Sequence, residues 1–179
     1  MKAIAFAHQK LTLILAFLFL LSACGPVDKL DTDEETTSLQ VFSIKLSGLN
    51  WTRSNGPVAP EFRYTVSYNV DFQLRKMVVA VTKGASVTDS LPSPASKYLT
   101  DSQILAIRNL VAAISVKKCA TGDLLLGGVS DSLSLSTSSL NVKEMTVYGS
   151  DCTGLADSTA RQAELSQGYG NLTSYLGSI

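Results

Sequence analysis

Histidine is almost absent from this sequence, and charged residues are few. The 179 residues include one histidine, His8, and charged residues make up 17% of the chain. With its one histidine so close to the N-terminus, the rest of the chain cannot contain histidine-based catalytic triads, metal sites or proton shuttles. The 15 basic and 15 acidic residues balance, so no positive excess favours nucleic acid. We therefore expect no nucleic-acid partner, no cofactor and no metal site.

The only long hydrophobic run lies at the N-terminus. It covers residues 11–20, follows Lys2 and Lys10, and is too short to span a bilayer. A basic start, a short apolar run and small residues at the end are typical of a secretory signal. We predict a signal peptide at residues 1–23. Its removal would leave 13 basic and 15 acidic residues, a net charge of −2.

The residues that end this segment carry a more specific pattern. Leu21-Ser22-Ala23-Cys24 resembles the lipobox of bacterial lipoproteins. The resemblance implies that Cys24 is lipidated, that cleavage occurs before it, and that the mature protein is anchored to a membrane of the cell envelope. It covers only the first 25 residues and implies a location, not an activity. Gly25 stands where an Asp would often signal inner-membrane retention, which favours the outer membrane in a cell with two membranes.

An acidic segment follows the lipobox cysteine at residues 24–37. It contains five acidic residues, one basic residue and little apolar surface to bury, a composition typical of disorder. A flexible chain of this length spans on the order of 20 Å. We predict a tether that separates the membrane from a single domain at residues 38–179. An acidic binding segment is the alternative.

Alternating apolar and polar residues predict a long β-strand at residues 61–74. Such alternation is typical of an antiparallel sheet with one buried face and one solvent-facing side. Residues 77–81 are apolar on both faces and predict a central strand. Arg75 and Lys76 lie between these strands, at either a bulge or a tight turn. Residues 39–46 show similar alternation and predict a further strand.

The clearest helix signal begins at Thr100. Thr100 and Gln103 match a capping box, and Leu99 and Ile104 are spaced for a hydrophobic staple across it. The apolar residues then recur at helical spacing, with Arg108 and Asn109 facing away. They are Ile104, Ile107, Val111 and Ile114. This pattern predicts an amphipathic helix that packs on a sheet.

The C-terminal part of the sequence predicts short strands and a final helix. We expect strands at residues 116–119 and 124–126, and a hairpin between residues 133–135 and 141–148. Asp157 or Ser158 can cap a short helix that Gly168 and Gly170 interrupt before helical spacing resumes. The fold class is therefore α+β, a mainly antiparallel sheet covered by one central amphipathic helix and a C-terminal helix.

Two cysteines remain after Cys24, and their context favours a structural disulfide. Exported proteins retain disulfides, and Cys119 and Cys152 allow one intramolecular pairing. Their spacing differs from the C-x-x-C of redox pairs. Two thiolates without histidine also make a poor zinc site.

Candidate catalytic groups are sparse, so we expect a non-enzymatic protein. Ser115 and Lys118 match the S-x-x-K motif of penicillin-binding proteins, but Ser115 lies at the end of the predicted helix and not at its start. Isolated acidic residues are scattered through the rest of the domain. One alternative is a small envelope hydrolase using carboxylates or this serine–lysine pair. Another is a lipid-binding domain that uses the aromatic face of residues 62–72.

One segment has the composition of a binding surface. Trp51 and Arg53 precede a proline-flanked loop, and both residue types are enriched among interface hot spots. The alternative is that Trp51 fills the edge of the sheet. Together with the lipobox, this segment predicts an envelope lipoprotein that binds a protein partner or another envelope component.

Overall fold

The computed structural model describes residues 37–119, 131–149, 152, 159–163 and 167–179. Within these ranges it contains one nine-stranded sheet, three α-helices and a short 3-10 helix at Pro60–Phe62. The strands are β1 (Thr37–Ser38), β2 (Leu46–Ser54), β3 (Tyr64–Asp71), β4 (Lys76–Lys83), β5 (Ala95–Tyr98), β6 (Ser115–Lys118), β7 (Asp131–Thr137), β8 (Glu144–Tyr148) and β9 (Ala160–Ala163). The helices are α1 (Gln40–Ile44), α2 (Asp101–Ala112) and α3 (Gln167–Ser178).

Several predictions concern residues outside these ranges. They are the signal peptide, the lipobox with Cys24, the tether up to residue 36, the strand at residues 124–126, and the cap at Asp157 or Ser158. For the described residues, the predicted α+β class is confirmed.

The strands are ordered β1-β6-β9-β8-β7-β2-β3-β4-β5 across the sheet. All neighbouring pairs are antiparallel except β8 and β9. Strands β2 to β5 form a meander, and α2 then carries the chain from the β5 edge to β6 near the other edge. This path brings α2 across one face of the sheet.

The two faces of the sheet differ in composition because only one is covered by helices. The covered face forms the core with Ile107 and Val111 of α2 and Leu172 and Leu176 of α3. Its buried sheet residues include Leu49, Trp51, Val66, Tyr68, Val70, Met77, Val79, Leu133, Leu135, Met145 and Val147. The opposite face presents short polar side chains, among them Asn50, Thr52, Ser67, Asn69, Ser132, Ser134 and Ser136. Apolar burial therefore explains the alternation in these strands.

The predicted strand at residues 61–74 is shorter in the structure, and a tight turn follows it. Phe62 and Leu74 lie outside β3 and are exposed. The Asp71 carboxylate accepts hydrogen bonds of 2.8 Å from the backbone N–H groups of Gln73 and Leu74. Arg75 takes a positive φ of 54°, and β4 begins at the next residue. The alternatives left open by the sequence are thus decided in favour of a turn.

The predicted strand at residues 39–46 is wrong, because this segment contains helix α1. Leu39 and Phe42 are completely buried and Leu46 nearly so. Their spacing of three and then four residues places them on one helical face. Short apolar runs are ambiguous between strand and helix, and packing against α2 decides this one.

Helix α2 forms as predicted. The backbone N–H of Gln103 donates to Thr100 Oγ1 at 3.2 Å, and the Gln103 side chain accepts from the Thr100 N–H at 2.9 Å, which confirms the capping box. Ile107, Val111 and Ile114 are fully buried.

The expectation that Arg108 faces away from the protein is wrong. Its guanidinium donates to the carbonyls of Ser43 and Ile44 at 2.6 and 2.7 Å, and to that of Leu46 at 3.0 Å. It also lies 4.7 Å over the Phe72 ring. The carbonyls at the end of a helix lack donors within that helix. Arg108 donates to two of them, those of Ser43 and Ile44, and thereby joins α1 to α2.

The C-terminal helix also differs from its prediction. Gly168 and Gly170 both lie within α3 and do not interrupt it. A Cβ atom at Gly168 would lie 2.5 Å from the carbonyl oxygen of Ala113, so glycine permits the close approach of α3 to the end of α2. The predicted β7–β8 hairpin forms, with a longer connection than expected.

Cys119 and Cys152 form the expected disulfide, with their Cα atoms 5.6 Å apart. Both residues are buried, and they pack with Ala160 of β9 and Tyr148 of β8. The bond thereby connects the end of β6 with a second segment of the chain. Its position in this small cluster is consistent with a structural role.

Candidate functional site

The two halves of the S-x-x-K match do not come together. Ser115 and Lys118 lie three residues apart on strand β6, so their side chains point to opposite faces of the sheet. The described residues also contain no group of three or more histidine, cysteine or acidic side chains that could hold a metal ion. Among the described helices, none is long and apolar enough to cross a membrane.

The segment predicted to bind a partner borders a surface groove of about 620 Å³. We call this cavity the Trp51 groove. It opens where β2, β3 and β7 meet the C-terminal half of α3. Its lining consists of Trp51, Arg53, Tyr68, Pro92, Asp131, Thr173, Ser174, Gly177 and Ser178. A volume of this size lies within the range of small-molecule sites, roughly 300–1,000 Å³.

Trp51 forms part of the core as well as the groove wall. Its side chain is 5% exposed and stacks on Tyr68, with ring centroids 4.8 Å apart and an interplanar angle of 21°. Its indole N–H donates a hydrogen bond of 2.6 Å to Asp131. The ring therefore packs in the core on an interior strand, between β3 and β7, and not at the edge of the sheet as the alternative held.

Asp131 is the central polar residue of the groove. Its Oδ1 atom accepts hydrogen bonds from the Trp51 indole at 2.6 Å and from the Tyr169 hydroxyl at 2.8 Å. No described residue donates to its Oδ2 atom. The carboxylate is therefore held through one oxygen, while no described residue uses the capacity of the other to accept hydrogen bonds.

Tyr169 is a buried partner that keeps its proton. Burial raises the pKa of its hydroxyl, and the negative charge of Asp131 and the hydrogen bond to it raise the pKa further. The hydroxyl therefore remains a neutral donor to Asp131 at physiological pH. A Cβ atom at Gly149 would lie 2.6 Å from Cε1 of Tyr169, so the glycine leaves the space that this ring occupies.

Arg53 lies directly opposite Asp131 in the β2–β7 ladder. Side chains in such cross-strand positions start from Cβ atoms about 4.5–5.5 Å apart and share one face. Arg53 is partly exposed and makes no ion pair or side-chain hydrogen bond with the described part of the chain. The groove thus contains a cation and an anion side by side, and the described residues leave part of the hydrogen-bonding capacity of both unused.

Helix α3 contributes hydroxyl groups to the same groove. The hydroxyls of Thr173 and Ser178 donate within the helix, to the carbonyls of Gly170 and Tyr175. Ser174 is exposed, and its hydroxyl makes no hydrogen bond with a described residue. Ser174 can therefore donate to or accept from a molecule in the groove.

Sequence analysis predicted two residues of this site and missed the others. Trp51 and Arg53 were predicted, whereas Asp131 and Tyr169 lie 80 and 118 residues from Trp51 and belong to no local motif. Comparison of the chain with protein-family models, with curated proteins and with solved structures found no match.

Proposed function

We propose that this chain is a lipid-anchored, non-enzymatic protein of the bacterial cell envelope that binds a protein or another envelope component in the Trp51 groove. The observation that carries the binding role is the adjacent pair Arg53 and Asp131, whose remaining hydrogen-bonding capacity no described residue uses. The lipobox resemblance at residues 21–24 supports the anchor on Cys24 and the envelope location, with the outer membrane favoured in a cell with two membranes.

The chemistry of the pair defines the group that would bind. A guanidinium binds carboxylates and phosphates through two parallel hydrogen bonds. The free oxygen of Asp131 accepts from an ammonium or hydroxyl group. A ligand that presents an anionic group beside such a donor satisfies both residues, as a peptide or envelope polymer with a carboxylate next to an ammonium or hydroxyl group does.

The surroundings of Asp131 favour binding because they reduce the cost of ordering the site. Trp51 and Tyr169 hold the carboxylate in one orientation before a ligand arrives. Trp51 is in turn held by its stacking on Tyr68. A preorganised group loses little conformational freedom on binding, which strengthens the interaction.

A photo-crosslinking residue at position 174 tests the binding role in intact cells. We expect a crosslinked product from Ser174, which lies in the groove, and no such product from Ser96, an exposed residue on edge strand β5. Arg53→Glu should remove the product because it reverses the charge that attracts the ligand. A product that forms equally at position 96, or that persists in Arg53→Glu, contradicts the proposed role of the groove.

The anchor is tested separately with Cys24→Ala. The wild-type protein should incorporate labelled lipid and partition into the detergent phase, whereas Cys24→Ala should remain uncleaved and unlabelled. A wild-type product that is freely soluble and carries no lipid contradicts the anchor.

A further inference from the structure

Exposed large hydrophobic residues are concentrated at one end of the sheet. Among the described residues they are Ile44 (69% exposed), Phe62 (51%), Leu74 (65%), Tyr98 (77%) and Leu105 (59%). Only Phe62 lies at the opposite end, just before β3 begins. The other four lie where β3 turns into β4, where β5 ends, and where α1 and α2 meet.

Arg108 contacts one of these residues, Ile44, and the positions of Leu74 and Leu105 in the chain place them near it. The Arg108 guanidinium donates to the Ile44 carbonyl and lies over the Phe72 ring. Leu105 lies almost one turn before Arg108 on α2. Leu74 follows Phe72 by two residues, at the tip of the β3–β4 turn. We call Ile44, Leu74 and Leu105 the apolar end.

An exposed ion pair joins the turn and the helix at this place. Arg75 and Asp101 form a contact of 2.6 Å between the β3–β4 turn and the first turn of α2. Leu74 precedes Arg75, and Leu105 lies one turn after Asp101. Tyr98 borders the same region because it pairs with Lys76, the first residue of β4.

Two lysines flank the apolar end. Lys45 follows Ile44, Lys76 lies two residues after Leu74, and no described carboxylate is within ion-pair distance of either. Two carboxylates also lie in this region. Asp71 is opposite Lys76 in the β3–β4 ladder and accepts from the turn amides through Oδ1, and Asp101 pairs with Arg75. The region therefore combines exposed apolar side chains with two lysines that form no ion pair with a described residue.

We propose that the apolar end docks on an anionic phospholipid surface, the bilayer to which Cys24 is anchored. This inference rests on the anchor in the proposed function. Apolar side chains flanked by lysines match the two layers of such a surface, since the side chains enter the acyl boundary and the lysines contact anionic headgroups. Lysine is depleted in protein–protein interfaces, so a lipid surface fits this composition better than a protein partner does.

The length of the tether is compatible with this docking. Residues 25–36 can extend over about 40 Å at most, at roughly 3.3–3.6 Å per residue. From Thr37 the chain reaches Ile44 through α1, a helix of only five residues. The anchor can therefore lie in the same bilayer that contacts the apolar end.

Docking in this way would direct the Trp51 groove away from the membrane. Strand β2 begins at Leu46 beside the apolar end and reaches Arg53 after seven residues. At about 3.3 Å per residue, the groove then lies roughly 23 Å further along the strand. A ligand outside the headgroup region would have free access to it.

A vesicle-binding assay on the mature chain with Cys24→Ser tests the docking in the absence of the lipid anchor. We expect it to sediment with phosphatidylcholine vesicles that contain phosphatidylglycerol, and to remain in solution with phosphatidylcholine alone. Leu74→Ser and Leu105→Ser should each weaken binding by about tenfold, because each removes a side chain that enters the acyl boundary. Phe62→Ser is the matched control and should bind as the parent protein does. All three residues are exposed, and circular dichroism would verify that the variants fold.

Three results would overturn the docking. They are no binding to the anionic vesicles at low salt, an equal loss in Phe62→Ser, and a concentration-dependent dimer that Leu74→Ser abolishes. Because the protein in this assay carries no lipid anchor, the outcome is independent of the detergent partitioning that tests the anchor. It is equally independent of the crosslinking that tests the groove.

Discussion

Arg108 and Arg53 lie near opposite ends of β2, and the protein uses their guanidinium groups differently. Arg108 donates to three backbone carbonyls and covers an aromatic ring. Arg53 makes no side-chain hydrogen bond with the described residues and lies beside a carboxylate that is only half engaged. An arginine whose N–H groups donate to backbone carbonyls has a structural role. An arginine at a groove whose N–H groups have no partner among the described residues is available to a ligand.

The Arg108 region should give the largest effect on stability. Arg108→Ala removes the donors to the carbonyls of Ser43, Ile44 and Leu46 and the contact with Phe72. We expect the free energy of unfolding to fall by about 2–4 kcal/mol, because partly buried carbonyls lose their partners. Urea denaturation measures this change. Asn109→Ala, at an exposed neighbour, is the control, and equal effects of the two substitutions would remove the distinction between the arginines.

The hydroxyl of Tyr169 should have the next largest effect. Tyr169→Phe removes a hydrogen bond to an ionised acceptor, which contributes about 1.5–3 kcal/mol. The matched control is Tyr175→Phe on the same helix, whose hydroxyl has no hydrogen-bond partner among the described residues. Thermal or urea unfolding of both variants gives the comparison. If both lose the same stability, Tyr169 does not hold Asp131 as the structure indicates.

The same tyrosine predicts a specific loss of stability at alkaline pH. Its pKa is raised in the folded protein, so the unfolded chain releases this proton first, near pH 10. The stabilisation is complete below that pH and declines above it by up to about 1.4 kcal/mol per pH unit. We expect the stability difference between wild type and Tyr169→Phe to be constant up to about pH 9 and to shrink by about pH 11. A difference that stays constant over this range would show that the pKa of Tyr169 is not raised.

Arg53 should have the smallest effect on stability. Arg53→Ala removes no protein hydrogen bond or ion pair within the described ranges, so the free energy of unfolding should change by less than about 0.5 kcal/mol. The same substitution should abolish the crosslink from position 174, which separates binding from stability. A loss of stability comparable to that of Arg108→Ala would show that Arg53 has a structural role.

Several elements follow directly from local patterns in the chain. The capping box at Thr100 and Gln103 involves residues three apart, so the start of α2 was correctly predicted. Alternation within residues 64–71 likewise predicted β3, because successive side chains on a strand point to opposite faces. The ends of that strand were wrong, since Phe62 and Leu74 continue the pattern outside the sheet.

Other elements depended on neighbours distant in the chain. The helix α1 was predicted as a strand because its short apolar run fits both structures, and burial against α2 selects the helix. The glycines at 168 and 170 were expected to interrupt α3. Close packing against Ala113 favours a glycine at 168 within the helix.

The sequence by itself determined the α+β class, the disulfide pairing between Cys119 and Cys152, and the elements whose signals lie within a few residues. Only the tertiary structure brought Asp131 and Tyr169 to Trp51. It also engaged the Arg108 guanidinium, whereas the Arg53 side chain bonds to none of the described residues. The physical reason is that periodicity and capping are local, whereas a carboxylate's partners are decided by the sheet register. That register places β2 beside β7 across 80 residues of chain.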